Sequence, residues 1–243
     1  MLLFESDMIH ASIIIPTFRE AGNLEQLVDR IAQSLVDFNG AYEVLIVDDN
    51  SQDGTEPLVE KLRDTGHPVR VIVRRDERGL SSAVIRGLDE AQGEVLVCMD
   101  ADLSHPPEMI PRLLSALQKP GVEFVIGSRY VDGAGTDADW GLFRRLNSIF
   151  ATLLARPFTA ARDPMSGFFA IRRDRYQNHD ELSPLGYKIG LELIVKCNCR
   201  NVLEVPIHFA QRRCGSSKLN FKQQLLYLRH IWRLACYKLT KRR

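Results

Sequence analysis

The chain has 243 residues, 45% of them hydrophobic and 26% charged, the make-up of an ordinary globular protein, which excludes disordered and collagen-like classes. Lys plus Arg number 32 against 31 Asp plus Glu, so there is neither the basic excess of a nucleic-acid coat nor an acidic tail, and nucleic acid is not an expected partner. No apolar run is long enough to span a bilayer, and Glu5 and Asp7 interrupt a start that an export signal would keep apolar, so neither a spanning helix nor export is expected.

Short apolar runs rich in β-branched residues predict strands at 12–16 (SIIIP), 43–47 (EVLIV), 69–73 (VRVIV), 94–99 (EVLVCM) and 122–127 (VEFVIG). Between them, residues 23–38, 54–65, 80–91 and 106–118 carry apolar side chains at spacings of three and four, as in Leu24, Leu27, Val28, Ile31 and Leu35. Those spacings predict amphipathic helices. Strand alternating with helix implies an α/β fold: a mostly parallel sheet covered on both faces, with ligands beyond the carboxyl ends of its strands. The second half is less regular, with helices expected over 143–155 and 191–198 and strands over 167–171 and 202–209. A final helix over 221–239 places Phe221, Leu225, Leu228, Trp232, Ala235 and Leu239 on one stripe. No internal repeat or long linker is present, which gives one catalytic domain over 1–218 and a basic amphipathic C-terminal helix over 219–243.

Five cysteines, Cys98, Cys197, Cys199, Cys214 and Cys236, are an odd set without a disulfide framework, and Cys197-x-Cys199 has no second pair at zinc spacing; reduced thiols and a cytoplasmic address are expected. The charge is neutral only on average. No Asp or Glu follows Glu204, so the last 39 residues carry +10 and the first 204 carry −9. A basic end on an acidic domain points to an anionic surface, phospholipid or phosphate.

Acidic residues stand where the predicted strands end. Asp48 and Asp49 follow EVLIV, and Asp100 and Asp102 follow EVLVCM. Two carboxylates one residue apart can share a hard divalent cation, with phosphate oxygens completing its shell; the alternative is a polar loop in which Asp102 caps the helix beginning near Pro106. Pro16-Thr17-Phe18-Arg19-Glu20 places a ring and a carboxylate at the same edge, suited to stacking on and hydrogen-bonding to a base. VDDNSQDGT (47–55) adds a turn and a helix start, with Asp53 or Ser51 as cap. Three acid-bearing loops on one edge describe a nucleoside diphosphate site with metal.

PTFRE, VDDNSQDGT, DADLSHPPE (100–108), GSRY (127–130), DPMSGFFAIR (163–172), GYKIGLELIVK (186–196) and R-x-x-G-x-S-K-L (212–219), in that order, resemble the family 2 inverting glycosyltransferases, specifically the polyprenyl (dolichyl) phosphate mannose synthases. The resemblance implies a type A glycosyltransferase fold, with a Rossmann-like nucleotide-binding sheet. It also implies a GDP-mannose donor, a divalent metal (Mg²⁺ or Mn²⁺) and a polyprenyl phosphate acceptor in a membrane. On this chain it places Pro16, Phe18, Glu20, Val47 and Asp49 around guanosine, and Asp100, Ala101 and Asp102 at the phosphates, with Asp100 and Asp102 on the metal. Arg129, Arg144, Arg212 and Lys218 gather the donor and acceptor phosphates. Where the family has Gln two residues beyond the second acid this chain has Ser104, whose shorter hydroxyl reaches a metal through water, and Phe18 replaces a tyrosine.

The physics agrees with that reading. Joining a phosphate to a sugar that leaves a pyrophosphate gathers several negative charges, so metal and arginine are needed. An acceptor phosphate already ionised near neutral pH requires no general base, and His105, His179, His208 and His230 read as structural or surface residues. Trp140 reads as a packing residue of a loop, and Arg213 as surface. The final helix, with Lys222, Arg229 and Arg233 beside its stripe, either lies on an anionic membrane face or packs on the domain. Three alternatives are a polyprenyl phosphate glucosyltransferase using UDP-glucose, a response-regulator-like module suggested by IVDDNS, and a non-catalytic membrane-docking subunit. The response-regulator reading is weakened because its acid pair would follow the first strand, and the docking subunit because both D-x-D acids are intact.

Overall fold

The computed structural model describes residues 8–137, 142–183, 185–186, 188–210 and 221–241, with the backbone alone for 142–147 and 221–222. The first half alternates as its periodicity requires: β1 (Ile9–Thr17), α1 (Ala21–Ser34), β2 (Ala41–Asp48), α2 (Thr55–Asp64), β3 (Val69–Val73), α3 (Leu80–Glu90) and β4 (Val95–Cys98). A 3-10 turn (Pro107–Met109) then leads into α4 (Ile110–Leu117) and β5 (Phe124–Ser128). The second half comprises β6 (Gly135–Thr136), α5 (Leu142–Ala155), β7 (Phe169–Arg172), α6 (Arg173–Gln177), α7 (Ile189–Lys196), β8 (Val202–Pro206), β9 (His208–Phe209) and α8 (Phe221–Thr240).

Seven strands form one sheet in the order β3-β2-β1-β4-β7-β5-β8. All neighbours are parallel except β7, which runs antiparallel between β4 and β5. Alternation along each strand divides the core into two layers. Ile13, Ile15, Val44 and Ile46 face Leu24, Leu27 and Ile31 of α1, whereas Ile14, Leu45 and Val47 face Ala83, Val84 and Leu88 of α3. Burying each such aliphatic side chain contributes about 1.5–3 kcal/mol, so the sheet centre is the most stable part of the fold. Gly87 lets α3 close on the sheet: a Cβ there would stand 2.4 Å from Ile14 Cγ2 and 3.0 Å from Val47 Cγ2.

Three expectations are corrected. The strand expected over 202–209 is two strands, because β8 joins the main sheet while β9 pairs with β6 in a separate ribbon; Pro206, without an N–H, ends the first ladder. The strand expected over 167–171 begins only at Phe169, since Ser166 accepts the Phe168 N–H and donates to the Gly127 carbonyl at 2.7 Å, fixing a turn there. Neither Asp53 nor Ser51 is the N-cap of α2; Gly54 occupies that position in the left-handed conformation. Asp53 instead accepts the Thr55 and Ala21 N–H groups, tying α1 to α2.

The terminal helix packs on the domain by one face and leaves the other exposed. Tyr227 and Leu234 join Leu191 of α7 and Ala155 of α5 in a third, smaller core, and the Tyr227 hydroxyl donates to the Ala151 carbonyl at 2.6 Å. The predicted stripe faces away: Trp232 is 67% exposed, and Leu225, Leu228 and Leu239 are exposed with it. On the neighbouring α5, Ile149, Phe150 and Leu153 are exposed as well. No helix among the described residues is long and apolar enough to cross a membrane.

Candidate active site

β1, β2 and β4 are parallel, so Thr17, Asp48 and the D-x-D loop leave the sheet at one edge. Arg19, Asn50, Gln52 and Leu103 hold positive φ values there, a strained backbone of the kind that rigid surroundings maintain at ligand sites. Asp48 is buried and organises this edge: its carboxylate accepts the Thr17 hydroxyl at 2.9 Å, the Ser51 N–H at 2.8 Å and the Ser51 hydroxyl. Asp49 is clamped from the other side, accepting Arg74 Nε at 2.7 Å on one oxygen and the Gly79 N–H at 2.8 Å on the other. Arg74 is itself buried, so this pair joins the ends of β2 and β3 to the start of α3.

Phe18 projects into solvent with the guanidiniums of Arg19 and Arg78 at 5.3 and 5.5 Å from its ring. Glu20 accepts the Asn23 side-chain amide at 2.7 Å. Pro16 lies in β1 opposite Val47, and Val47 is wholly buried with its side chain in the core, so no atom of it reaches the surface. Ala101 is likewise buried in the core.

The D-x-D loop is built differently from the helix cap that sequence offered as its alternative. Asp102 accepts the Ser104 N–H at 3.1 Å, a local turn. The Asp100 carboxylate is 30% exposed and accepts no hydrogen bond from the described residues, while its own N–H donates to His105 Nδ1 at 3.0 Å. Ser104 Oγ is buried with no hydrogen-bond partner among the described residues. Among those residues no three His, Cys, Asp or Glu side chains converge as a complete metal cage. A partly exposed carboxylate beside a second suits a hard divalent cation that takes its remaining oxygens from phosphates and water.

Arg129, expected at the phosphates, lies just past β5 and is bound by Asp163: Nε and a terminal nitrogen each donate at 2.8 Å, and its backbone N–H donates at 3.0 Å. Burial disfavours the charged guanidinium, but the Asp163 hydrogen bonds outweigh it and hold its pKa above the ordinary arginine value. Glu204 accepts the N–H groups of Arg162 and Asp163 at 2.7 and 2.9 Å and so fixes this partner. Tyr130 of GSRY shares a 2.7 Å hydrogen bond with Ser148 of α5. The Arg144 side chain, Arg212, Lys218 and Trp140 lie outside the described residues. The chain enters 211–220 from Ala210, whose N–H donates to the Ser104 carbonyl at 3.1 Å, directly on the D-x-D loop.

Sequence reasoning missed Arg74, Asp163 and Glu204, whose bonds in Arg74–Asp49, Arg129–Asp163 and Asp163–Glu204 span 25, 34 and 41 positions. Only the charged residues inside the GSRY and DPMSG motifs hinted at such pairing.

The sequence profile of Glycosyl transferase family 2 matches residues 12–179. The chain is 46% identical over 227 residues to a dolichol-phosphate mannosyltransferase of Mycosarcoma maydis, covering 90% of this chain and 77% of that protein. It is 42% identical to one of Saccharomyces cerevisiae (95% and 88% covered) and 47% identical to one of Pyrococcus furiosus (92% and 63% covered). Among solved structures it is similar to mannosyl-3-phosphoglycerate synthase from Rubrobacter xylanophilus, with a TM-score of 0.68 at 18% identity, covering 96% of this chain and 75% of that one. It is also similar to glucosyl-3-phosphoglycerate synthase from Mycobacterium tuberculosis in complex with Mn²⁺, UDP and glucosyl-3-phosphoglycerate, with a TM-score of 0.63 at 19% identity, covering 93% and 78%. At these identities the structural likeness carries the fold alone.

Proposed function

The chain belongs to glycosyl transferase family 2 and is a glycosyltransferase of type A fold; on that footing we propose that it transfers mannose from GDP-mannose to a polyprenyl (dolichyl-type) monophosphate, with inversion at the anomeric carbon. The observation that carries this reading is the Asp100 carboxylate, which accepts no hydrogen bond from the described residues, at a strand end beside the strained base-side loops. It stands in a chain more than 40% identical to dolichol-phosphate mannosyltransferases over at least 90% of its length.

Phe18 would stack on the base, Glu20 and Asp49 would receive its donors and those of the ribose, and Pro16, Val47 and Ala101, buried beneath them, would support the floor. Asp100 and Asp102 would hold a divalent cation, Mg²⁺ or Mn²⁺, with Ser104 behind it; when bound, such a cation offsets the charge of a departing diphosphate. Arg129, together with Arg144, Arg212 and Lys218, would attract and orient the donor and acceptor phosphates. The acceptor phosphate is ionised near neutral pH and attacks without losing a proton, so no side chain has to act as base. His105, the imidazole at this loop, has its Nδ1 lone pair committed to the Asp100 N–H. A single displacement from an α-linked donor gives a β-linked mannosyl phosphate.

With no spanning helix among the described residues, the lipid acceptor would be reached by contact with the membrane surface. The exposed faces of α5 and α8, with Arg229 at the border of the α8 stripe, would rest on an anionic leaflet, placing the protein peripherally on the cytoplasmic face. Donor competition tests the central reading. Purified protein offered GDP-mannose and UDP-glucose with polyprenyl phosphate should move mannose into a mild-acid-labile lipid; exclusive use of UDP-glucose would replace it with the glucosyltransferase reading.

A further inference from the structure

His105 is not part of the family motif's acidic pair and takes no part in the proposed chemistry, yet it sits where three separated stretches of sequence meet. Its side chain is 3% exposed. Its ring stacks on Phe168 at 5.3 Å between centroids and meets Phe209 edge-on at 5.5 Å. Phe168 belongs to the DPMSGFFAIR stretch, and Phe209 precedes the segment that leads to Arg212. Five residues back along the chain, the Asp100 N–H donates to Nδ1 at 3.0 Å.

That hydrogen bond has a consequence for the carboxylate. A nitrogen that accepts a proton donor on its lone pair carries no hydrogen of its own, so Nδ1 serves here as an acceptor. Nδ1 lies 3.8 Å from Asp100 Oδ2 and cannot donate to it. The opposite flank is equally closed: Gly167 packs so tightly that an added Cβ would stand 3.2 Å from Asp100 Oδ1 and 3.4 Å from His105 Cε1. Aromatic packing therefore fixes the ring, and the ring fixes the start of the D-x-D loop through the backbone without engaging the carboxylate.

We propose that His105 is a positioning residue for Asp100: a hydrogen-bond acceptor, clamped between Phe168 and Phe209, that closes the 100–105 loop and presents the Asp100 carboxylate to the donor's cation. This deepens the proposed function and rests on it for the identity of the donor. The role is that of groups behind a metal ligand, whose loss typically weakens metal affinity by about 10–100-fold.

The test separates acceptor from shape. In His105→Asn the amide oxygen can occupy the Nδ1 position, whereas His105→Phe keeps an aromatic ring and removes the acceptor. Mn²⁺ affinity with GDP present is read by electron paramagnetic resonance, alongside thermal midpoint and transfer rate. The asparagine variant should stay within about threefold of wild type in Mn²⁺ affinity, and the phenylalanine variant should lose about tenfold or more at an unchanged midpoint. Equal losses in both variants, or wild-type affinity in His105→Phe, would overturn the assignment. If His105→Phe does not fold, His105→Gln, which cannot place its acceptor at Nδ1, takes its place with the same expected loss. Should wild type bind no Mn²⁺, the metal reading fails separately, and the transfer rates of the same variants then decide the role of His105: asparagine retaining activity supports it, and phenylalanine retaining activity refutes it.

Discussion

Arg129 lies along Asp163 so that two of its nitrogens each donate at 2.8 Å to a separate oxygen of a carboxylate wholly shielded from water. The pair joins the end of β5 to the loop before β7, the one antiparallel strand of the sheet, and holds the guanidinium charged beside the D-x-D loop. Removing one partner leaves the other as an unpaired buried charge, which typically costs about 3–5 kcal/mol. Asp163→Ala should lose that much in chemical denaturation. A loss below about 1 kcal/mol, the range of surface pairs, would show that the charge is better solvated than the geometry implies.

Glu192 of α7 is buried against His230 of α8 at 3.3 Å and Lys196 at 3.1 Å. Burial alone would raise its pKa, but the His230 contact, the Ser183 N–H and Lys196 outweigh it and hold the carboxyl below its usual 4.5. With a depressed folded pKa, the unfolded chain takes up the proton first. The stabilisation is therefore complete above about 4.5 and is lost as pH falls through the lower folded value. The difference in thermal midpoint between wild type and Glu192→Gln should be constant near neutral pH and shrink on acidification below about pH 4.5. A difference independent of pH would mean that the carboxylate charge contributes nothing to seating α8.

Gly87→Ala sets helix propensity against packing. Alanine is the better helix former by about 1 kcal/mol, yet its Cβ would stand 2.4 Å from Ile14 Cγ2. Overpacking should win with a net loss of about 1–3 kcal/mol. Combining it with Ile14→Ala should give a total loss smaller than the sum of the two single losses, because the second change removes the clash. Additive losses would place the strain elsewhere.

Trp232 is 67% exposed on α8, and a charge at that position leaves the packed face of the helix untouched. Trp232→Glu should reduce co-sedimentation with anionic vesicles at low salt while keeping the thermal midpoint. Unchanged vesicle binding would remove α8 from the proposed membrane face.

The sheet was legible because its strands are buried on both faces and read as unbroken β-branched runs, as in Ile13-Ile14-Ile15, while the helices between them kept a clear spacing of three and four. The break at Pro206 and the antiparallel course of β7 were not, since both depend on which neighbour a short strand finds. For the site, sequence placed the acidic loops on one edge but could not say which carboxylates were already engaged. Asp48 and Asp49 look alike in VDDNS, yet one accepts Thr17 and Ser51 and the other Arg74 and Gly79. His105 read as structural or surface because its partners, Phe168 and Phe209, are 63 and 104 positions away. Leu225, Leu228, Trp232 and Leu239 of the α8 stripe do share an exposed face, but the packing of the opposite face rests on Tyr227 and Leu234, which the stripe leaves out.

The most direct measurement is transfer of radiolabelled mannose from GDP-mannose to polyprenyl phosphate by wild type, Asp100→Ala and Asp102→Ala, each with and without exhaustive chelation. Wild type should produce an organic-extractable, β-linked mannosyl phosphate and lose that activity on chelation. Each alanine variant should fold normally and fall by several kcal/mol in transition-state stabilisation, about a thousandfold or more in rate. Near-wild-type turnover by Asp102→Ala, full activity after chelation, or an α-linked product would contradict a metal-assisted single displacement at this edge of the sheet.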